Sequence, residues 1–172
     1  MFGNTYGLDL GTYEIKVYDK KQDEIWKQKN TIAIKNKREV FSVGDAAYDM
    51  YEKAPINIEI VFPMKEGVIS RFYDMQYLLE NILKKGRRII LGSKYVVSVP
   101  TDVTEVEKKA FYDLVIHSSA RAKEVRIVER AIADAVGLDL DVKESSGIFI
   151  ANLGGETTEL SVVASGGMVL NR

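Results

Sequence analysis

The sequence predicts an α/β domain in which a mixed β-sheet is flanked by helices and carries a small inserted subdomain. Two observations lead to this prediction. Three strand-like runs follow one another at the start of the chain, and helices alternate with strands from Ser70 onwards. The predicted order is βββαβαβα, with an irregular insertion after the third strand. A meander followed by alternating elements implies a sheet that helices cover.

The opening hairpin is predicted from strand-like runs at 6–8 and 15–18, which flank a turn built on Asp9, Gly11 and Thr12. A tight turn that contains glycine leaves backbone N–H groups directed into a concavity, which suits a phosphate. Asp9 beside the turn could hold a hydrated magnesium ion. Turns of this composition also join strands in many proteins that bind no ligand, so both interpretations stay open for the motif alone.

A second copy of this design favours the ligand interpretation. The segment 148–163 contains an apolar strand, Asn152, Leu153, two glycines, small polar residues and a second strand, and a further strand is predicted at 168–170. Such self-similarity suggests two related hairpins that face one ligand. No helix follows to cover these strands, so we expect that the chain is a fragment or that another polypeptide covers them.

The predicted insertion follows a third strand at 24–27, which completes an antiparallel meander. Strand-like runs at 31–34 and 39–43 predict a second small hairpin, and 44–50 predicts one or two helical turns. Two prolines interrupt the pattern after that. The segment 30–66 is therefore predicted to be an inserted subdomain with its own small core.

The regular part begins with a helix from Ser70, with apolar residues at helical spacing and Gly86 in the position of a C-terminal cap. A strand at 95–99 follows. Thr104 and Glu107 then fit a capping box, and the helix that they open is predicted to place these residues on one apolar face: Val106, Ala110, Phe111, Leu114 and Val115. A strand at 125–128 and a helix at 129–136, stopped by Gly137, complete the domain.

Composition excludes several classes of protein. The chain has 24 Lys and Arg residues against 25 Asp and Glu residues, and its net charge of −1 gives no reason to expect nucleic acid as a partner. The absence of cysteine excludes a disulfide framework and a thiolate metal site. No apolar run approaches the length of a membrane span, and no signal sequence precedes the first strand. We therefore expect a cytoplasmic protein.

Five stretches make the sequence similar to the MreB family of bacterial actin homologues, within the larger set of actin-like ATPases. The first and last resemble the whole set, and the middle three resemble MreB. The stretches are 7–12, 43–47, 63–69, 99–107 and 153–159. The resemblance spans essentially the whole chain and implies an actin-like (ribonuclease H-like) fold.

The resemblance also implies a division of the chain. Residues 1–145 would match the first actin-like domain, with its core at 1–29 and 67–145 and the insertion at 30–66. Residues 146–172 would match only the opening hairpin and strand of the second domain. ATP would lie in the cleft between the two domains with its phosphates held by the two hairpins. Much of the adenine pocket would belong to second-domain residues that this chain lacks, so the chain alone should bind ATP poorly.

By the same resemblance, the residues expected to contact ATP come from the two turns. Asp9 and Asn152 would hold magnesium through water, and Lys16 is similar to a phosphate-contacting lysine of actin. The expected contacts are Asp9, Gly11, Thr12, Tyr13, Lys16, Asn152, Gly154, Gly155, Thr157 and Thr158.

The sequence departs from the family pattern in the turns and at one further position. Tyr13 and the anionic Glu14 are poor neighbours for a triphosphate, and the second turn has Asn152 for Asp and Glu156 for Gly. Arg130 stands where a glutamate is expected to orient the attacking water, and an arginine cannot act as a general base. Glu129 is the substitute candidate, although one residue along a helix turns a side chain by about 100°. These departures favour slow or absent hydrolysis.

A membrane contact is predicted after the first long helix, where three apolar residues stand beside cations: Arg87, Arg88, Ile89, Ile90 and Leu91. This pattern suits insertion of a loop tip into an anionic leaflet, each cation near the surface contributing about 1 kcal/mol. MreB proteins are similar in dipping an apolar loop at this place. The alternative is that the apolar residues simply begin the next strand.

The resemblance thus implies an MreB-like cytoskeletal protein that binds ATP, forms homopolymers at the inner face of the cell membrane and helps to direct cell shape and wall synthesis. Membrane proteins of cell elongation and wall synthesis would be its partners. The alternatives are a non-catalytic, membrane-associated scaffold of the same fold or a relative of the sugar kinases and chaperones. The latter would require a substrate site or a peptide-binding domain, which these residues do not show.

Overall fold

The computed structural model describes residues 3–85, 92–119 and 121–171. In chain order the elements are β1 (Thr5–Leu10), β2 (Glu14–Asp19), β3 (Glu24–Lys29), β4 (Ile32–Lys35), β5 (Glu39–Val43), α1 (Asp45–Tyr48), β6 (Ile58–Val61), β7 (Met64–Lys65), β8 (Val68–Ile69), α2 (Phe72–Lys85), β9 (Lys94–Val99), α3 (Glu105–Ile116), β10 (Glu124–Glu129), α4 (Arg130–Gly137), β11 (Ile148–Leu153), β12 (Thr158–Ala164) and β13 (Gly167–Asn171).

Five strands form the central sheet in the order β10-β9-β1-β2-β3. The pairs β1–β2 and β2–β3 are antiparallel, whereas β9 runs parallel to both β1 and β10. The mixed sheet and the α/β class predicted from the sequence are therefore confirmed. Alternation along β1 buries Leu8 and Leu10 in the core, and Asp9 between them consequently projects from the opposite face.

Helices cover both faces of this sheet. The apolar stripes of α2 and α3 form one core with the buried side of β1, β2 and β9, in which Leu78 and Phe111 have no exposed surface. On the other face, Ala133 and Asp134 of α4 share a depression with Asp9. Asp9 was predicted to lie in the turn, but the structure places it inside β1, one residue before the strand ends.

The start of α3 confirms one prediction and corrects another. The Thr104 hydroxyl accepts from the Glu107 amide at 3.3 Å, and the Glu107 carboxylate accepts from the Thr104 amide at 2.7 Å, so the predicted capping box is present. Val106, however, is 79% exposed. The prediction that it lies on the apolar face was wrong, because five residues at about 100° each carry it roughly 140° around the helix from Phe111.

The segment between β3 and α2 forms its own small sheet, in the order β5-β4-β6, with α1 beside it and the two-residue strands β7 and β8 after it. The predicted hairpin and helical turn correspond to β4, β5 and α1. The strand β6 was not predicted. It pairs antiparallel with β4, from Ile32 opposite Val61 to Lys35 opposite Ile58.

The last three strands form an antiparallel sheet in the order β11-β12-β13, and the predicted second hairpin corresponds to β11 and β12. One side of this sheet packs on α4, where Ala135 and Val163 are fully buried. Along β11, Phe149 and Leu153 are 65% and 81% exposed on the other side. We call this side, together with exposed apolar residues of β12 and β13, the bare face. Nothing in the described part of the chain covers it.

The predicted membrane residues Arg87, Arg88, Ile89, Ile90 and Leu91 lie outside the described residues, as does the predicted cap at Gly86. Among the helices that the structure describes, none combines the length and the apolar character needed to cross a bilayer.

Candidate functional site

The turns of the two hairpins have the same backbone geometry. The Gly11 amide donates to the Glu14 carbonyl oxygen at 3.2 Å, and the Gly154 amide donates to the Thr157 carbonyl oxygen at 2.8 Å. A Cβ added at Gly11 or Gly154 would lie 2.7 Å or 2.8 Å from that oxygen, which is too close. Both turns therefore require glycine, and the repeat predicted from the sequence is present in the backbone.

The two turns lie against each other and enclose a cavity. A Cβ added at Gly155 would fall 2.8 Å from the Cβ of Tyr13. The cavity has a volume of about 230 Å³, below the roughly 300–1,000 Å³ of typical small-molecule pockets, so it suits the phosphate end of a nucleotide better than a whole one. It is lined by Asp9, Gly11, Thr12, Tyr13, Glu14, Lys16, Arg130, Asn152, Leu153, Gly154, Gly155 and Thr157.

A third turn, between β7 and β8, joins the other two. The Gly67 amide donates to the Thr12 hydroxyl at 3.1 Å, and the Glu66 amide donates to the Glu156 carboxylate at 2.7 Å. Glu66 and Gly67 have φ values of 51° and 82°, which a tight two-residue hairpin requires. The stretch 63–69, which carried part of the family resemblance, therefore fixes the spacing of the two turns.

Asp9 and Lys16 form an ion pair at the rim of the cavity. They are cross-strand partners on β1 and β2, and the Lys16 ammonium lies 2.8 Å from the Asp9 carboxylate. The hydrogen bond to Asp9 raises the pKa of Lys16 above its usual range, with the charges of Asp9 and Glu14 acting in the same direction and burial against it. Lys16 is thus a charged donor, and Asp9 already has an ion-pair partner.

Neighbouring side chains contact Tyr13 and Glu14, the two residues that were predicted to be poor neighbours for a triphosphate. The Tyr13 ring packs edge-on against Tyr48 of α1 at 5.5 Å, and the Lys29 ammonium lies 3.8 Å from its centre. Hydrogen bonds with Tyr48 and then Lys29 lower the pKa of Tyr13. The Glu14 carboxylate lies 3.9 Å from the ammonium groups of both Lys27 and Lys29. These two cations offset the repulsion expected from Glu14.

In the second turn, Asn152 is held by a residue that sequence analysis did not select. Its amide nitrogen donates to the Asp134 carboxylate of α4 at 2.6 Å. Asn152 is the counterpart of Asp9 in the repeat and is uncharged. Of these two equivalent positions, only that of Asp9 therefore carries a carboxylate. That carboxylate is already paired with Lys16. Within the described residues, no group of three or more His, Asp or Glu side chains could hold a metal ion. The residues present therefore do not fit the magnesium site expected from the resemblance.

Arg130 begins α4 and lines the cavity. Its guanidinium donates to the Glu159 carboxylate at 2.9 Å, and the two side chains are 11% and 9% exposed. The second Glu159 oxygen accepts from the Thr101 amide at 2.8 Å. Sequence analysis missed Glu159, although a signal was available: it stands across from Asn152 as Lys16 stands across from Asp9.

Nine of the ten residues predicted to bind nucleotide line the cavity. The exception is Thr158, which begins β12 and is exposed. Glu129, the candidate for activating water, ends β10 and precedes α4. It does not line the cavity, whereas its neighbour Arg130 does. The turn residues Glu66 and Gly67 belong to the stretch 63–69, and the sequence alone predicted no role for them at the site.

A mixed sheet that carries two matching glycine turns on either side of a cleft defines a protein of the actin-like class. The family model for the MreB/Mbl protein matches residues 3–172, and the chain belongs to this family. The chain is 32% identical to the cell shape-determining protein MreB of Escherichia coli (strain K12), over 98% of this chain and 50% of that protein. It thus spans about half the length of this relative.

Solved structures agree with this assignment. The structure of MreB5 of Spiroplasma citri bound to ADP has a TM-score of 0.89 and 30% sequence identity, covering 99% of this chain and 51% of that one. The structure of the same protein bound to AMPPNP has a TM-score of 0.92 and 29% identity, covering 100% and 52%. The actin-like fold expected from the resemblance is confirmed.

Proposed function

We propose that this chain provides the phosphate end of an ATP-binding cleft in an MreB-type cytoskeletal protein. The observation that carries the proposal is the pair of matching turns, at Gly11 and Gly154, which enclose one cavity. Tight glycine turns and the Lys16 ammonium suit phosphate oxygens. The ADP-bound and AMPPNP-bound structures of the Spiroplasma relative support the same ligand class.

Hydrolysis by this cleft is proposed to be slow or absent. Arg130 occupies the cavity, stays protonated and cannot accept a proton from water. Glu129 does not line the cavity, so it gives no replacement base in this arrangement. Loss of a positioned general base lowers a rate by about 10²- to 10⁴-fold. This makes the non-catalytic scaffold the second candidate function, supported by the Arg130–Glu159 pair.

The wider role is proposed from the family. Cell shape-determining relatives support a part in cell shape, and we propose that the intact protein self-associates into filaments at the inner face of the cell membrane. Wall-synthesis and cell-elongation membrane proteins are the proposed partners. The basic and apolar run 87–91 is the proposed membrane contact, and its support is the sequence pattern alone.

Calorimetric titration of ATP and magnesium into the intact protein, with phosphate release followed in the same sample, tests the first two proposals. We expect binding at one site and phosphate release about 100-fold or more slower than that of E. coli MreB measured alongside. Gly154→Val should abolish binding, because a Cβ at this position meets the Thr157 carbonyl oxygen at 2.8 Å.

Gly167→Val is the matched control for this experiment. Gly167 lies in the same sheet, and a Cβ there meets no atom within 4 Å, so its binding should equal that of the unmodified protein. Absence of ATP binding by the unmodified, folded protein would refute the nucleotide proposal. Binding with turnover as fast as that of E. coli MreB would leave the nucleotide proposal standing and refute impaired hydrolysis.

A further inference from the structure

We propose that Arg130 takes the place of the divalent cation in this cleft, so that the site binds the polyphosphate of a nucleotide without requiring magnesium. The inference rests on the proposed nucleotide binding and deepens it, because it specifies which charge the protein itself supplies. It starts from the disagreement between the residues present and the magnesium site that the family resemblance implies.

Arg130 lies where it can meet a phosphate in the cavity. Its side chain lines the cavity together with Lys16 and is 11% exposed. The bond to Glu159 at 2.9 Å fixes the guanidinium and uses one of its donors. A guanidinium has five N–H donors in a planar fork that matches phosphate oxygens. Arg130 is thus a preorganised cation with donors left for a phosphate.

The cavity lining carries as many cations as anions. Two cations, Lys16 and Arg130, face two anions, Asp9 and Glu14. Both anions are engaged: Asp9 with Lys16 at 2.8 Å, and Glu14 with lysines of β3 at 3.9 Å. A polyphosphate that enters meets two cations with donors. A magnesium ion meets the same two cations and two carboxylates that are already paired with lysines.

The chemistry of the second turn also departs from that of a magnesium site. Magnesium is usually held through one or two carboxylates together with phosphates and water. Asn152 contributes no charge, and its amide nitrogen is bonded to Asp134 at 2.6 Å. The repeat position itself therefore carries no carboxylate, and the neighbouring carboxylate of Asp134 already accepts from the Asn152 amide. The competing possibility is that a phosphate draws Lys16 away and frees Asp9 for magnesium, and the experiment separates the two.

The experiment is calorimetric titration of ATP into the intact protein, once with excess magnesium and once with excess EDTA. We expect the two dissociation constants to agree within about threefold. Arg130→Gln should weaken binding in EDTA by about 10- to 100-fold, the range for loss of a charge-assisted hydrogen bond. In magnesium the same variant should lose less, because the metal then supplies the missing charge.

Arg126→Gln is the matched control. Arg126 lies four residues earlier on β10, is paired with Glu124 and is 73% exposed outside the cavity. Its dissociation constants should equal those of the unmodified protein in both buffers. Thermal melting confirms that each variant is folded.

Each outcome decides the inference. Tenfold or greater loss of affinity in EDTA by the unmodified protein overturns it and leaves the nucleotide proposal intact, whereas failure to bind in either buffer refutes the nucleotide proposal itself. The inference is also overturned if Arg130→Gln binds ATP as tightly as the unmodified protein does in both buffers. If this variant binds in neither buffer, Arg130→Lys decides: restored binding in EDTA supports the inference, and its absence contradicts it.

Discussion

Replacing Glu159 with alanine tests the contact that joins β12 to Thr101 and to the start of α4. The Glu159 carboxylate is 9% exposed and accepts from Arg130 at 2.9 Å and from the Thr101 amide at 2.8 Å. Alanine would leave a nearly buried guanidinium and a buried backbone amide without their acceptor. Breaking a buried pair from one side costs about 3–5 kcal/mol. Because 1 kcal/mol shifts Tm by roughly 2–4 °C in a domain of this size, we expect Tm to fall by about 6–20 °C.

The assay is thermal unfolding of the intact protein followed by circular dichroism. Glu124→Ala is the control, because Glu124 pairs with Lys94 at 2.7 Å at the surface with 31% of its side chain exposed, and such pairs contribute about 1 kcal/mol or less. A double variant, Glu159→Ala with Arg130→Met, should lose less than Glu159→Ala alone, since no charge is left stranded. The reasoning is refuted if Glu159→Ala lowers Tm no more than Glu124→Ala does.

Two further predictions concern α3 and the membrane. Thr104→Ala should lower the free energy of unfolding by about 1 kcal/mol. Because hydrogen bonds to the Thr104 side chain and amide lower the pKa of Glu107, the Glu107 contribution is complete above pH 4.5 and is lost as the pH falls through the lowered value. Urea unfolding at neutral and acidic pH checks this, and equal losses at both would contradict it. Ile90→Asp should reduce co-sedimentation of the intact protein with anionic vesicles. The control is Ile56→Asp, because Ile56 is exposed elsewhere on the chain. Unchanged sedimentation of Ile90→Asp would remove the run 87–91 from the membrane proposal.

Local patterns predicted the parts of this structure that local forces determine. The two glycine turns were predictable because the steric demand at Gly11 and Gly154 comes from residues three positions away. The capping box at Thr104 has equally short range. The similarity of the two turns also predicted that they face one ligand, and the structure brings both turns to one cavity.

The contacts that sequence reasoning missed join residues far apart in the chain. Asp134 meets Asn152 across 18 residues, and Glu159 meets Thr101 across 58. A charged residue on a helix or strand usually lies in solvent, so neither carboxylate stood out. The strand β6 was missed because it lies between Pro55 and Pro63, which made the segment look irregular. Val106 was misplaced because an apolar residue in a first helical turn was taken to follow the buried stripe.

The bare face of the last sheet affects how assembly of this chain can be assayed. Phe149, Leu153, Val169 and Leu170 are each more than half exposed in this sheet, and exposed apolar side chains promote non-specific association between molecules. Sedimentation of the 172-residue chain would therefore report non-specific aggregation and would not distinguish it from ordered filaments. Electron micrographs, rather than sedimentation alone, are therefore the appropriate evidence for polymerisation.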